Sequence, residues 1–102
     1  MRNEKYRLVR AFLPTILLEE IEKQPIHGYA LMQKIRKTMQ VYFGPSTLYP
    51  ALMELEKEKL ISSEWNMLYA KPRRIYIITE KGKAKKTSDL VILASIPIFH
   101  KA

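Results

Sequence analysis

Cysteine is absent from this 102-residue chain, and glycine, histidine and tryptophan are rare, with three, two and one copies. Without cysteine there are no disulfides and no thiolate metal sites, and a reducing compartment is permitted. Long apolar runs are missing too. The longest extends from Leu90 to Phe99, is interrupted by Ser95 and Pro97, and is too short to span a bilayer. The sequence therefore predicts neither a disulfide scaffold nor a membrane span.

Acidic residues are also scarce, ten against eighteen basic ones, which gives a formal net charge of +8. This excess favours a polyanionic partner, namely DNA, RNA or an anionic membrane. A hydrophobic content of 47% excludes wholesale disorder, and the length predicts one domain whose small core would gain from dimerisation. The basic N-terminus runs into Glu19 and Glu20 without a small-residue cleavage site. No signal peptide is therefore predicted, and a cytoplasmic location is expected.

The stretch from Gly44 to Lys57 is the most informative one. Gly44 and Pro45 interrupt the preceding chain, and Thr47 is the predicted N-cap of a new helix. That start would put Pro50 in the first turn, where its missing N–H costs little. Three- and four-residue steps give one apolar face, made of Leu48, Ala51, Leu52 and Leu55. The outward face would carry Tyr49, Pro50, Met53 and Glu54. An ordinary amphipathic helix is one interpretation, but the small, hydroxylic and aromatic leading end is typical of a DNA recognition helix.

Two earlier helices complete a helix-turn-helix pattern. The first, from Pro14 to about Lys23, is expected to turn Glu19, Glu20 and Glu22 to water. The second, over about 28–39, is expected to bury Tyr29, Leu31, Met32, Ile35 and Met39 and to expose Lys34, Arg36 and Lys37. His27 has no second ligand at helical spacing, so it is interpreted as a cap or structural hydrogen bonder rather than a metal ligand. The basic residues among the first ten are either an arm that touches phosphates or, as we favour, a solvated helix end.

Two β-rich segments, about 60–69 and 74–79, predict a β-hairpin wing whose connecting tip is basic. Ile61, Trp65 and Met67 alternate with mostly polar neighbours. Trp65 is interpreted as a core anchor, with stacking on a base as the alternative. From Lys71 to Lys86 there are seven bases and one acid. Such a run is often only a solvated face, but its place beside the recognition helix favours contact with a DNA backbone.

The last helix, with Thr79 as its predicted cap, is polar up to Asp89 and then apolar on most sides. A core of this size cannot cover that apolar end. A second copy of the chain is the expected cover, with insertion into a membrane surface as the alternative. The predicted dimerisation residues are Leu90, Ile92, Leu93 and Ile96. Pro97 is expected to bend or end the helix.

Several of these motifs resemble those of the PadR-like transcriptional regulators, a family of winged helix-turn-helix dimers. The segment 25–29 resembles the family's Pro-Leu-His-Gly-Tyr, and 45–52 resembles its Pro-Gly-Thr-Leu-Tyr-Pro-Ala-Leu. Matches continue through 55–61 and into the second wing strand and last helix, at 72–74, 76 and 79–82, so that the resemblance covers about residues 14–83. There are two departures: Lys59 stands where the family usually has a glycine, and Ser46 replaces another. One branch of the family binds flat aromatic drugs through a tryptophan between its C-terminal helices. Here the one tryptophan, Trp65, is in the predicted wing, so a small-molecule effector stays open but has no such tryptophan to support it.

Together these patterns predict a mainly α fold with a small β-hairpin, in the α+β class. A winged helix-turn-helix domain is expected over 1–79, with its wing at about 61–79, and a dimerisation helix over 80–102. The leading interpretation is a homodimeric, sequence-specific repressor that binds a pseudo-palindromic duplex and needs no metal, cofactor or membrane. The expected DNA contacts are Ser46, Thr47, Tyr49 and Pro50 from the recognition helix, with Lys71, Arg73, Arg74, Lys34, Arg36 and Lys37 from the wing and flanking backbone.

Two other functions stay open on the sequence alone. One is a non-specific architectural DNA-binding protein with the same fold, and the other is a winged-helix protein-interaction module. Catalysis is not predicted, because the chain has no cysteine, its two histidines are isolated and no carboxylate pair lies in an apolar setting.

Overall fold

The computed structural model describes residues 3–68 and 70–97, and within them five helices and three strands follow one another. They are α1 (Glu4–Ala11), α2 (Leu13–Lys23), β1 (Ile26–His27), α3 (Gly28–Met39), α4 (Pro45–Lys57), β2 (Ile61–Asn66), β3 (Arg73–Ile78) and α5 (Glu80–Ala94). The predicted α+β fold, a three-helix helix-turn-helix with a β-wing, is confirmed. In this part of the chain no helix is both long and apolar enough to cross a membrane.

Side chains cap the N-terminal ends of three of the helices. The Asn3 Oδ1 atom accepts from the Tyr6 backbone N–H at 2.9 Å, and His27 Nδ1 accepts from Ala30 N–H at 3.3 Å. At α5 the Thr79 hydroxyl accepts from Gly82 N–H at 3.0 Å. These bonds satisfy N–H groups that have no partner inside a helix. The predicted caps His27 and Thr79 are therefore confirmed.

Helix α4, the predicted recognition helix, begins earlier than the sequence suggested. Gly44 is its N-cap and Pro45 lies in its first turn, so the prediction that Thr47 is the cap is wrong. Pro50 is consequently inside the helix rather than in its first turn. Because proline has no N–H, the Ser46 carbonyl lacks the bond it would accept in a regular helix. The helix accommodates this loss because Ser46 and Pro50 are both exposed.

The sheet has the order β1-β3-β2 and is antiparallel throughout. In the wing hairpin β2 pairs with β3 from Ile61 opposite Ile78 to Asn66 opposite Arg73. The third strand, β1, pairs Ile26 with Tyr76 and was not predicted. This strand ties the segment before α3 directly to the wing.

One apolar core joins α2, α3, α4 and the sheet. Its sixteen buried side chains are Leu13, Leu17, Leu18, Ile21, Ile26, Leu31, Met32, Ile35, Val41, Phe43, Leu48, Leu52, Leu55, Leu60, Ile61 and Tyr76. Leu48, Leu52 and Leu55 of the predicted α4 face are among them, and Ala51 packs partly buried against this core. The sequence predictions that Tyr29 and Trp65 are buried are wrong: Tyr29 is 62% exposed and Trp65 is 60% exposed. Met67, which continues the Trp65 alternation, is exposed as well.

Glu20 is buried, at 3% exposure, although the α2 pattern predicted that it faces water. Its Oε2 atom is 3.2 Å from Lys23 Nζ, and its Oε1 atom is 3.7 Å from Lys34 Nζ on α3. A buried carboxylate is tolerated when cations flank it. The pattern could not show this, because Lys34 reaches Glu20 only when α3 packs on α2.

Hydrogen bonds and ion pairs hold α5 against α2. The Thr15 hydroxyl donates to Asp89 Oδ2 at 2.9 Å, and Lys86 Nζ pairs with Glu19 Oε1 at 3.1 Å and with Glu22. Hydrogen bonds that Lys86 donates, first to Glu22 and then to Glu19, raise the pKa of its ammonium group. The helix ends at Ala94, before Pro97, in agreement with the expectation that this proline does not continue it.

Candidate nucleic-acid interface

The leading end of α4 presents an open surface. Ser46 and Pro50 are exposed, Met53 is 70% exposed, and Tyr49 is 37% exposed, whereas Thr47 is half-buried. The outward direction predicted for Tyr49, Pro50 and Met53 is thus confirmed. No acid occurs in the first turn of α4. Hydroxyl, aromatic and thioether groups therefore face outward where a polyanion could approach.

Tyr49 is positioned by a glycine. Its ring lies against Gly28 at the start of α3, so closely that a Cβ on Gly28 would sit 2.5 Å from the Tyr49 Oη atom. Only a residue without a side chain leaves room for the phenol there. The contact fixes the outward tyrosine of α4 against the N-terminal end of α3.

An open cleft of about 600 Å³ lies between the helices and the wing. Tyr49 lines one side of it, and the wing residues Lys71, Arg73 and Arg74 line another. All three wing cations are exposed. The structure therefore brings the predicted wing cations next to the predicted tyrosine of the recognition helix.

Arg73 is held close to His27. Its Nη1 atom is 2.8 Å from His27 Nε2, while the other ring nitrogen meets Ala30 N–H. Guanidinium and backbone N–H groups only donate, so each contact needs a lone pair on the ring nitrogen. A neutral imidazole has one such lone pair and an imidazolium has none. The two contacts therefore alternate between tautomers, and both are lost when His27 is protonated.

The surroundings of His27 keep it neutral. Burial first, and the positive charge of Arg73 second, lower the pKa of this imidazole below its ordinary value of 6.5. The histidine thus connects the start of α3 to the wing only in its uncharged form.

Arg74 is tied to the fold more firmly than the sequence suggested. Its Nε donates to Ser63 Oγ at 2.8 Å, and its Nη2 lies 3.5 Å from Glu56 Oε2 on α4. The Ser63 hydroxyl itself donates to Glu56 Oε2 at 2.6 Å. The guanidinium also sits 5.8 Å from the centre of the Trp65 ring. Arg74 therefore connects the wing to α4 through these contacts.

The α3 cations differ from one another. Lys34 is half-buried beside Glu20, as described above, while Arg36 and Lys37 are exposed near the end of the helix. The charge of Lys34 is therefore partly balanced within the protein.

Tyr29, Met53 and Trp65 also line the cleft, and none of them was among the predicted DNA contacts, although base stacking was the alternative interpretation of Trp65. Helical spacing gives an ambiguous signal for Tyr29, because seven residues back from buried Ile35 is Gly28, whereas three residues back from buried Met32 is Tyr29. No comparable signal marks Trp65, because its exposure depends on how far the wing extends beyond the core.

The apolar end of α5 is uncovered within the described chain. Leu90 and Ile92 are 45% and 58% exposed, and Leu93 and Ile96 are half-buried. A groove of about 550 Å³ with a mostly apolar surface continues this one, and it is lined mainly by residues of α1, α2 and α5. Among the residues that the structure describes, no cluster of histidine and carboxylate groups could hold a metal.

Comparison with known proteins yields one family and consistent neighbours. The profile of the "Transcriptional regulator PadR-like family" matches residues 17–88. Transcriptional regulator Rv3488 of Mycobacterium tuberculosis is 35% identical over 81 residues, spanning 78% of this chain and 74% of that protein. A PadR family regulator from Eggerthella lenta superimposes with a TM-score of 0.79 at 29% identity, covering 85% of this chain and 76% of that one. A transcriptional regulator from Clostridium thermocellum gives a TM-score of 0.78 at 26% identity, covering 93% and 99%.

Proposed function

This chain belongs to the PadR-like family of transcriptional regulators, and we propose that it binds a pseudo-palindromic duplex operator as a homodimer and represses transcription there. The observation that carries the proposal is the shared surface of α4 and the wing. Exposed Tyr49 and Met53 on α4 line the same cleft as the exposed cations Lys71 and Arg73, and Ser46 is exposed at the leading end of the same helix. In the cytoplasm this surface would meet duplex DNA.

The two parts of the surface have different tasks in this proposal. The leading end of α4 enters the major groove, where Ser46, Thr47 and Tyr49 reach base edges or nearby phosphates and Pro50 packs against them. Lys71 and Arg73 hold phosphates from the wing, and Arg36 and Lys37 hold the flanking backbone. Arg74 contributes positive charge, but mainly fixes the angle between wing and helix. Lys34 contributes less, because Glu20 shares its charge.

Dimerisation is proposed through the C-terminal segment, from Glu80 onward, while the residues before it bind DNA. The support is the exposed apolar surface of Leu90 and Ile92 together with the half-buried Leu93 and Ile96. Exposed apolar patches of this kind are usually covered by a partner. The spacing of the two α4 helices in the dimer would then set the separation of the operator half-sites.

The test is a binding selection on random duplexes at several salt concentrations, run beside a mass measurement in solution. The selected duplex is expected to be nearly palindromic, and the mass in solution is expected to be that of two subunits. A specificity ratio near unity would instead indicate an architectural DNA-binding protein. Failure to bind any duplex at low salt would indicate a protein-interaction module.

Ile92→Glu tests the dimer interface, because it places a charge on the apolar surface of α5. The variant is expected to be monomeric in a sedimentation experiment. Leu68→Glu is the matched control, since Leu68 is 92% exposed in the wing connection and lies far along the chain from α5. If Ile92→Glu sediments as a dimer, the interface is elsewhere.

A further inference from the structure

The cleft between α4 and the wing is lined by exposed aromatic and apolar side chains as well as cations. Tyr29 is 62%, Met53 70% and Trp65 60% exposed, and Lys71 and Arg73 line the same cleft. Exposed aromatic rings interleaved with cations form the kind of surface on which nucleic-acid strands lie. Trp65 is the largest of these side chains, and the core does not use it.

One cation of the cleft lies over the Trp65 ring. The Arg74 guanidinium lies 5.8 Å from the indole centre, within the range of a cation–π interaction. Arg74 is in turn bonded to Ser63 on β2 and lies beside Glu56 on α4. One face of the indole is thus covered by a cation that is bonded to β2 and lies beside α4. Such a preorganised ring loses little conformational freedom when it contacts a ligand.

We propose, on the basis of the function proposed above, that one strand of the duplex runs through this cleft and that Trp65 packs its indole against a deoxyribose of that strand. A protein that places a helix in the major groove and a wing in the adjacent minor groove straddles the sugar–phosphate backbone separating the two grooves. The cleft is the space between those two elements. Lys71 and Arg73 then meet the phosphates, while the indole covers the apolar face of a sugar.

The contact with Trp65 is uncharged and independent of base identity, and this gives it a distinctive signature. Trp65→Ala should weaken binding about tenfold on every duplex, within the range measured for aromatic contacts to nucleic acids. It should leave the slope of log affinity against log salt unchanged, because no phosphate charge is involved. Lys71→Ala, by contrast, should reduce that slope by about 0.9, the value of one phosphate contact.

Trp65 is also its own reporter, because it is the one tryptophan in the chain. Excitation at wavelengths that tyrosine does not absorb gives emission from Trp65 alone, and this emission reports on the cleft. Addition of the selected duplex to the full chain should change the Trp65 emission and protect it from quenching by acrylamide. Trp65→Phe should bind within a few-fold of the original protein, since a smaller ring can still cover a sugar. Leu68→Ala, an exposed apolar residue two positions past the end of β2, should bind unchanged.

The outcomes separate this inference from the proposed function. If the duplex binds but leaves the emission and quenching of Trp65 unchanged, or if Trp65→Ala binds normally while its thermal unfolding is unaltered, the inference is wrong and DNA binding stands. A response to single-stranded oligonucleotides but not to duplex overturns it in favour of base stacking. If no duplex binds at low salt, the inference and the proposed function both fail.

Discussion

The basic stretch from Lys71 to Lys86 divides into two halves that the fold uses differently. The wing half, with Lys71, Arg73 and Arg74, is exposed and lines the cleft beside α4. The α5 half also has exposed cations, but each of its four lysines contacts an oxygen of the protein. The contacts are Lys81 with the Glu58 carbonyl, Lys83 with Glu80, Lys85 with Asp89, and Lys86 with Glu19 and Glu22.

This difference shows that a charge count along the sequence overstates a binding surface. The sequence treats the seven bases of this stretch as one run. In the structure, Lys86 is only 17% exposed on its side chain and joins α5 to α2. The wing half can offer charge to a polyanion, whereas the lysines of the α5 half are paired within the protein, Lys83 and Lys85 inside α5 and Lys81 and Lys86 with other elements. The predictions below test whether the two halves separate in this way.

The largest effect should come from the start of the α5 half, at Gly82. A Cβ there would lie 2.0 Å from the Leu60 carbonyl oxygen, which already accepts from the Thr79 backbone and hydroxyl. The Leu60 carbonyl is a backbone group, and it cannot shift without breaking its hydrogen bonds. Gly82→Ala should therefore lower the free energy of unfolding by about 3 kcal/mol. Denaturant titration measures this loss.

Gly44→Ala is the control for that substitution. A Cβ on Gly44 would meet only the Tyr42 ring at 3.5 Å, and its φ of −77° suits any residue. A loss of less than about 1 kcal/mol is expected there. Equal losses of stability at Gly82 and Gly44 would contradict the view that the start of α5 depends on the close approach of Gly82 to the Leu60 carbonyl.

The second effect concerns DNA affinity and compares the two halves directly. Lys71→Ala with Arg73→Ala should weaken binding at least tenfold and reduce the salt slope by about 1.8, the value of two phosphate contacts. Lys83→Ala with Lys85→Ala removes the same formal charge from α5 and should leave the slope unchanged. Affinities measured at four or more salt concentrations decide the question. Equal slopes for the two double variants would mean that the halves are not distinct.

A third prediction concerns the attachment of Arg73 to His27. Because the pKa of His27 is lowered in the folded protein, the unfolded chain binds this proton more readily. The contribution of neutral His27 to the free energy of unfolding is therefore complete above pH 6.5. It is lost as the pH falls through the lower pKa that His27 has in the folded protein. In His27→Asn the amide can still cap α3 but does not titrate, so this pH dependence of stability should disappear.

The comparison for that prediction is made in a background without the other histidine, His100, which lies outside the described residues. Thermal unfolding of His100→Asn and of the double variant is followed from pH 7.5 to about pH 5, across the region where histidine titrates. If both lose stability equally below pH 6.5, His27 does not connect the wing to α3 in the way described.

Features set by short-range chemistry were predictable from the sequence. The bounds of α3, the caps His27 and Thr79 and the buried face of α4 depend on neighbouring residues in the chain. The wing strands β2 and β3 were predictable for the same reason, since their β-forming residues are consecutive. The resemblance of the 45–52 motif to the PadR-like family then identified the fold.

Features set by distant contacts were not predictable. The strand β1 has two residues and exists only because Ile26 meets Tyr76 of β3. Burial of Glu20 requires Lys34 from another helix, and the bond from Arg74 to Ser63 requires the hairpin register. The start of α4 was placed too late because a proline was assumed to be confined to the first turn, whereas an exposed helix tolerates Pro50.

The smallest effect should come from Lys59, a cation that belongs to neither half. It ends α4 with a φ of 64°, a left-handed conformation that suits glycine. Its N–H donates to the Glu56 carbonyl and that of Leu60 donates to the Leu55 carbonyl, both at 2.9 Å, which is the Schellman arrangement. Lys59→Gly should therefore stabilise the protein by about 0.5–1 kcal/mol, since relief of strain outweighs the added freedom of the unfolded chain. Lys57→Gly, which removes the same charge from helical backbone, should destabilise by about 1 kcal/mol. Both should leave the salt slope of DNA binding unchanged; a lower slope for Lys59→Gly would extend the charged surface beyond the wing.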